Sequence, residues 1–245
     1  MDKKSFRICI KQEILDRFKN KTMNQQFKKL IYFLDKLDKN VVSQKTSPKK
    51  VNLIRIKSVG ETAFQRAIFN SGKSILKNGG NIKWIDLELP GIIVQSGKRR
   101  AGRRIDLIGL LDTLPVICEL KYAKSKSNEP PLYAIFELLT YYCSIWYNHA
   151  KLDEKNVHHN QDNIYSEFKW KDIIQSKPKL LVCANDHYWE YWKNREIIEE
   201  VRKLNEKLNV EILLLKTIEI DFVQMKGEKE FYEPSIPEGL CLEQI

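Results

Sequence analysis

The apolar positions follow a helical period first and a strand period later. Ile8, Ile10, Ile14, Leu15 and Phe18 recur at roughly helical spacing, and Phe27, Leu30, Ile31 and Leu34 do the same, which predicts helix across residues 5–40. The stretch NVVSQKTSPKK, residues 40–50, is polar and contains Pro48, so it reads as a linker with a boundary near 50–57. Ser58 and Glu61 have capping-box spacing ahead of Phe64, Ile68 and Ile75 or Leu76. This predicts one helix that stops at Gly79 and Gly80.

Three extended runs follow, at 82–94, 104–111 and 114–122, rich in Ile, Leu and Val. Pro130 and Pro131 open a second strong helix, LYAIFELLTYYCSIWYNH, because Pro suits the first turn. Residues 151–178 are polar without periodicity and read as an insertion. KLLVCA at 179–184 predicts a buried strand, 187–208 an amphipathic helix, and 210–220 another strand. Short turns between some strands and helices between others imply a layered α/β core. The expected architecture is a mixed central sheet flanked by helices, with an N-terminal helical extension. The expected division is a basic extension and linker at 1–57, a core at 58–225 and a C-terminal tail at 226–245.

Charge sharpens this division. The 245 residues carry a formal net charge of +10. Residues 1–57 hold 16 basic and 5 acidic side chains, whereas 58–245 hold 26 and 27. The excess therefore sits in the lysine-rich extension, and it points to a polyanionic partner. The helices there are expected to hold nucleic acid or to form a homodimer interface, and both readings stand. No apolar run approaches the ~18 residues of a membrane helix, and no signal-peptide core follows Met1, so no membrane partner is expected. Five widely spaced cysteines without a CxxC pair point to a reducing, cytoplasmic compartment.

The candidate chemistry lies in RRIDLIGLLDTLPVICELKY, residues 103–122. With the turn centred on Asp112 and Thr113, Leu111 faces Leu114 and Ile108 faces Ile117. The same register sets Asp106 opposite Glu119 and Arg104 opposite Lys121. Side chains alternate with period two. One face then collects Ile105, Leu107, Val116, Cys118 and Leu120, and the other collects Ile108, Leu110 and Ile117, then Asp106, Glu119 and Lys121. Opposed β-carbons lie about 4.5–5.5 Å apart. Two carboxylates at that range repel by roughly 3–4 kcal/mol at an effective dielectric near 20. A divalent cation relieves this, with the Leu120 carbonyl as a further oxygen ligand and Lys121 placed to orient or deprotonate water. The same four charges, Arg104, Asp106, Glu119 and Lys121, also sum to zero and are compatible with a plain salt-bridge ladder.

The motif Arg104-Ile105-Asp106, twelve residues, then Glu119-Leu120-Lys121 resembles that of the PD-(D/E)XK, or restriction-endonuclease-like, nuclease superfamily, over residues 58–220. The resemblance implies that Asp106 and Glu119 bind Mg²⁺, with Mn²⁺ as a substitute, and that Lys121 assists the attacking water. It also implies an auxiliary acid on the preceding helix, at Glu61, and a Gln-x-x-x-Tyr equivalent at Glu137 and Tyr141. Glu stands here for Gln, and Ile105 stands where the naming Pro would be. The expected function is a Mg²⁺-dependent endonuclease acting on DNA, with a restriction endonuclease as its narrower form. The alternative is a catalytically silent nucleic-acid- or protein-binding module of the same fold. Lys98, Arg99, Arg100, Arg103 and Arg104 form a basic cluster before the second of the three strands. With Lys124 and Lys126, they are the expected phosphate contacts.

Overall fold

A computed structural model gives the fold. It describes residues 1–18, 25–37, 58–89, 104–125, 129–154, 168–175, 177–190, 192, 195–218, 220–225, 231–235 and 240–245. The N-terminal periodicity yields two helices, α1 (Lys3–Arg17) and α2 (Gln25–Lys36). Asp2 caps α1 by accepting from the Lys4 and Ser5 amides. The core runs α3 (Glu61–Asn70), β1 (Lys73–Leu76), β2 (Asn81–Leu89), β3 (Ile105–Leu111), β4 (Leu114–Lys121), α4 (Pro131–Glu154), α5 (Trp170–Gln175), β5 (Lys179–Ala184), α6 (Asp186–Trp189), α7 (Arg195–Leu208) and β6 (Glu211–Thr217). Three strands follow: β7 (Asp221–Met225), β8 (Phe231–Ser235) and β9 (Leu240–Gln244).

The expected open sheet flanked by helices, the restriction-endonuclease-like core, is corrected by the strand order. Strands β1-β2-β3-β4-β5-β6-β9 form a closed barrel, and β7 and β8 pair separately. The strand that closes it comes from residues read as a tail: β9 runs parallel to β1 and antiparallel to β6. Closure removes both sheet edges, which would otherwise present unpaired backbone donors and acceptors.

Alternation along the strands sorts the apolar residues into two cores. The barrel interior gathers Leu76, Trp84, Leu107, Val116, Cys118, Leu120, Cys183, Leu215, Leu240 and Leu242, with Phe64 and Ile68 of α3 packed among them. The opposite faces of β3 to β6 bury Ile108, Ile117, Val182 and Leu214 under α1, α2, α4 and α7. The basic N-terminal helices belong to this second core. Phe6, Ile10 and Ile14 of α1 and Phe27, Leu30 and Leu34 of α2 are buried in it. Phe6 meets Tyr142 of α4 edge to face at 5.5 Å. Glu13 of α1 pairs with Lys207 of α7, and Arg17 pairs with Glu200.

Two helix readings change as well. The helix expected from Ser58 to the Gly79-Gly80 stop ends at Asn70. Gly72, at φ +65°, turns the chain into β1. The capping box is not formed: Gly60 occupies the N-cap without a side-chain bond, and Glu61 is the first helical residue. In the supposed insertion, α4 continues to Glu154, and α5 buries Trp170 and Ile173. The Asp153 carboxylate accepts from the Trp170 amide at 2.7 Å, which fixes α5 against α4. Among the described residues, no helix is long and apolar enough to cross a membrane.

Candidate active site

The β3–β4 hairpin keeps the expected register near its turn. Leu111 pairs with Leu114, Ile108 with Ile117 and Leu107 with Cys118. The β3–β4 ladder ends at that last pair, so Asp106 and Glu119 are not ladder partners. The Asp106 carboxylate instead accepts from the Leu120 amide, at 2.8 Å. Ile105 correspondingly joins the helix-side core, although alternation assigns it to the face of Leu107. Arg104 does not oppose Lys121. It pairs with Glu88 of β2 at 2.7 Å.

Glu119 and Lys121 lie on the helix-covered side of β4, and both are buried. The Lys121 ammonium donates to Glu119 Oε1 at 2.9 Å, lies 3.5 Å from Glu137 Oε2 of α4 and sits 5.7 Å from the Tyr133 ring centroid. Tyr141 donates to Glu137 Oε1 at 3.1 Å, so the expected auxiliary pair forms an i,i+4 hydrogen bond beside the lysine. From the other side comes Glu61. Burial raises its pKa, with Glu129 and Glu137 adding to the rise, against the opposing pull of Lys121 and the Tyr122 amide. The structure thus gathers Asp106, Glu119, Lys121, Glu61, Glu137 and Tyr141 at one end of β4.

The electrostatics follow from four acids around one amine. Burial pushes the Asp106 carboxyl up to about 7, against the stabilising Leu120 amide and Lys121. Burial, with the Asp106 charge next, holds Glu119 well above the usual carboxylate range. For Lys121, burial favours the neutral amine, but Glu119, Glu137 and Glu61 outweigh it and keep the ammonium. Lys121 thus stands as a donor between Glu119 and Glu137.

Among the described residues, no group of three or more His, Cys, Asp or Glu is arranged to hold a metal ion. Of the expected three-acid centre, Glu119 accepts directly from Lys121, and Asp106 and Glu61 lie within the field of the same lysine. Two acids remain suited to a hard cation. Mg²⁺ takes one or two carboxylates and keeps several waters. Glu119 Oε2 is buried and has no hydrogen-bond partner, a position that normally costs free energy. Leu120 enters the site through its amide. Of the expected phosphate contacts, Lys98, Arg99, Arg100, Arg103 and Lys126 lie outside the described residues, while Lys124 is exposed beside the site.

Two residues join the site without a motif to announce them. Gln65, buried one turn after Glu61, donates to the Asp106 carbonyl at 2.7 Å and fixes the peptide that leaves the ladder. Tyr188 of α6 buries a hydroxyl with no hydrogen-bond partner, in the field of Glu129, Lys121, Glu119 and Glu61. Pairing of Lys121 with Ala184 across β4 and β5 brings Tyr188, four residues further on, to the cluster. No protein-family model, curated protein or solved structure matches this chain.

Proposed function

We propose that the protein is a metal-dependent nuclease that hydrolyses phosphodiester bonds of DNA. The observation that carries this reading is the pair of carboxylates Asp106, half-buried, and Glu119, buried, beside the Lys121 ammonium, with one Glu119 oxygen unpartnered. The reading rests on these residues and on the Asp-x₁₂-Glu-x-Lys likeness, not on the barrel. Asp106 and Glu119 would hold Mg²⁺ or Mn²⁺. Such a cation stabilises charge on the phosphoryl oxygens and acidifies water. Lys121 donates to the attacking water or to a non-bridging phosphate oxygen, and Glu119 and Glu137 fix its position. Tyr141 orients Glu137, and Gln65 orients Asp106. Glu61, at the start of α3, adds negative charge that keeps Lys121 protonated.

Lys121→Ala is expected to lower Mg²⁺-dependent cleavage of duplex or single-stranded DNA by about 100-fold or more, and Asp106→Asn to abolish it. Full cleavage by a folded Asp106→Asn/Lys121→Ala protein sinks the reading. One observation favours a second function, a silent binding module: Lys121 is already satisfied by Glu119 and Glu137. That module binds DNA without cutting it and takes up no Mg²⁺ or Mn²⁺ in calorimetry.

A further inference from the structure

A cleft of about 790 Å³ opens at the carboxyl ends of the three parallel strands β4, β5 and β6. This is within the range of small-ligand pockets, about 300–1,000 Å³. It adjoins the acid cluster: Tyr122 follows Lys121 directly, and Phe64 lies one helical turn after Glu61. These two rings wall one side, with centroids 5.4 Å apart. Lys124, His187 and Lys216 contribute cationic or polar groups to the rim. Asn185 fixes the segment that carries Tyr122 and Lys124, exchanging two hydrogen bonds with the Ala123 backbone at 2.9 and 2.7 Å.

The chemistry of the walls selects among polyanions. Lys216 lies 3.5 Å from Asp186 and 3.8 Å from Glu243, so its charge is largely compensated. Lys124 is exposed and has no ion-pair partner among the described residues. A duplex backbone needs a row of unopposed cations, and among the described residues this rim supplies a single one, Lys124. An aromatic wall with one open cation instead matches a base face with its own phosphate. That face is reachable only when the base is unstacked. Thr217, at the β6 end of the cleft, carries a buried hydroxyl without a hydrogen-bond partner, a polar group that the cleft's own residues leave unsatisfied.

We infer that this cleft binds an unpaired nucleotide of a single strand, with its base against Tyr122 and its phosphate at Lys124. The inference rests on the nuclease reading for its biological use, since it makes single-stranded nucleic acid the preferred substrate. Binding itself is independent of that reading. The test is fluorescence anisotropy of a labelled short oligothymidine, an oligouridine and a duplex of equal length, on the full chain in EDTA, where metal-dependent cutting is stopped. The oligothymidine is expected to bind more tightly than the duplex, and the oligouridine arm tells DNA from RNA. Tyr122→Ala is expected to weaken single-strand binding by roughly tenfold or more. Lys124→Ala is expected to flatten the log K against log salt slope by about 0.7.

Lys124 is exposed and outside the apolar cores, so its variant keeps the test decisive should Tyr122→Ala unfold. Equal or tighter duplex binding overturns the inference. So does an unchanged affinity and salt slope in folded Lys124→Ala. Single-strand binding through this cleft without any metal-dependent cleavage sinks the nuclease reading and leaves the cleft standing. Cleavage with no contribution from Tyr122 or Lys124 does the reverse.

Discussion

Asp106 has two opposing relations to the fold. Its carboxylate takes the Leu120 amide and its carbonyl takes Gln65, yet burial raises its pKa from 3.8 to about 7. Between those two values the folded protein binds a proton that the unfolded chain has lost, so stability falls as pH rises through the window. At about 1.4 kcal/mol per unit, the full effect is roughly 4 kcal/mol. Glu119 acts in the same direction. Lys121, with its pKa raised, loses its contribution only above the ordinary lysine range and so does not offset this slope near neutrality. Asp106→Asn should therefore be more stable than the natural protein at pH 7.5 by about 1–4 kcal/mol, and nearly equal to it at pH 4. Urea denaturation at the two pH values measures this, and a pH-independent difference contradicts it. That Asp106, Glu119 and Lys121 meet at one end of the hairpin was legible in sequence, because a two-residue turn fixes which residues share that end; their exact facing was not, because pairing stops at Leu107 and Cys118 and Asp106 takes the Leu120 amide instead. Gln65 and Tyr188 were not legible. Each acts through contacts made by separate elements, and neither carries a local signature.

The elements were most legible where one pattern ran long. Helix α4 and strands β3 and β4 lie close to where periodicity places them. The helix over-extended through residues 71–79 failed for a specific reason. Ile68, Ile75 and Leu76 fit a helical face, but the same Leu76 also fits the alternation of β1, which buries it inside the barrel. Periodicity cannot separate the two over so few residues. Gly109 shows a constraint of another kind. A β-carbon there would lie 2.9 Å from the Lys83 carbonyl and 3.1 Å from the Trp84 ring, where β2 and β3 pair inside the barrel. Trp84 cannot readily yield, since its indole nitrogen donates to buried Ser74 at 2.7 Å. Gly109→Ala should thus cost about 1–3 kcal/mol by overpacking. Chemical denaturation reads it, and an unchanged midpoint contradicts the close approach.

At the scale of the whole molecule, the difference between an open sheet and a barrel rests on five residues. The alternation of Leu240 and Leu242 is too short to stand out, and nothing local tells that β9 lies between β1 and β6. Leu242 is fully buried, opposite Leu76 of β1 and Thr217 of β6. Leu242→Asp places an unpaired carboxylate in the interior and should cost more than about 4 kcal/mol. Glu243→Ala on the same strand, with its side chain half exposed, should leave the melt nearly unchanged. Thermal melts of the two variants measure this, and comparable melting temperatures would show that the seam contributes little. The seam also has a temporal side. Lys77 and Glu243, which meet across it, are 166 residues apart in sequence. A ribosome delivers the strands one at a time, so β1 and then β6 wait with an open hydrogen-bonding edge until β9 emerges. For that interval the nascent chain offers neighbouring chains on a polysome the same edge that β9 later fills, and chaperone demand should track the speed of that last step.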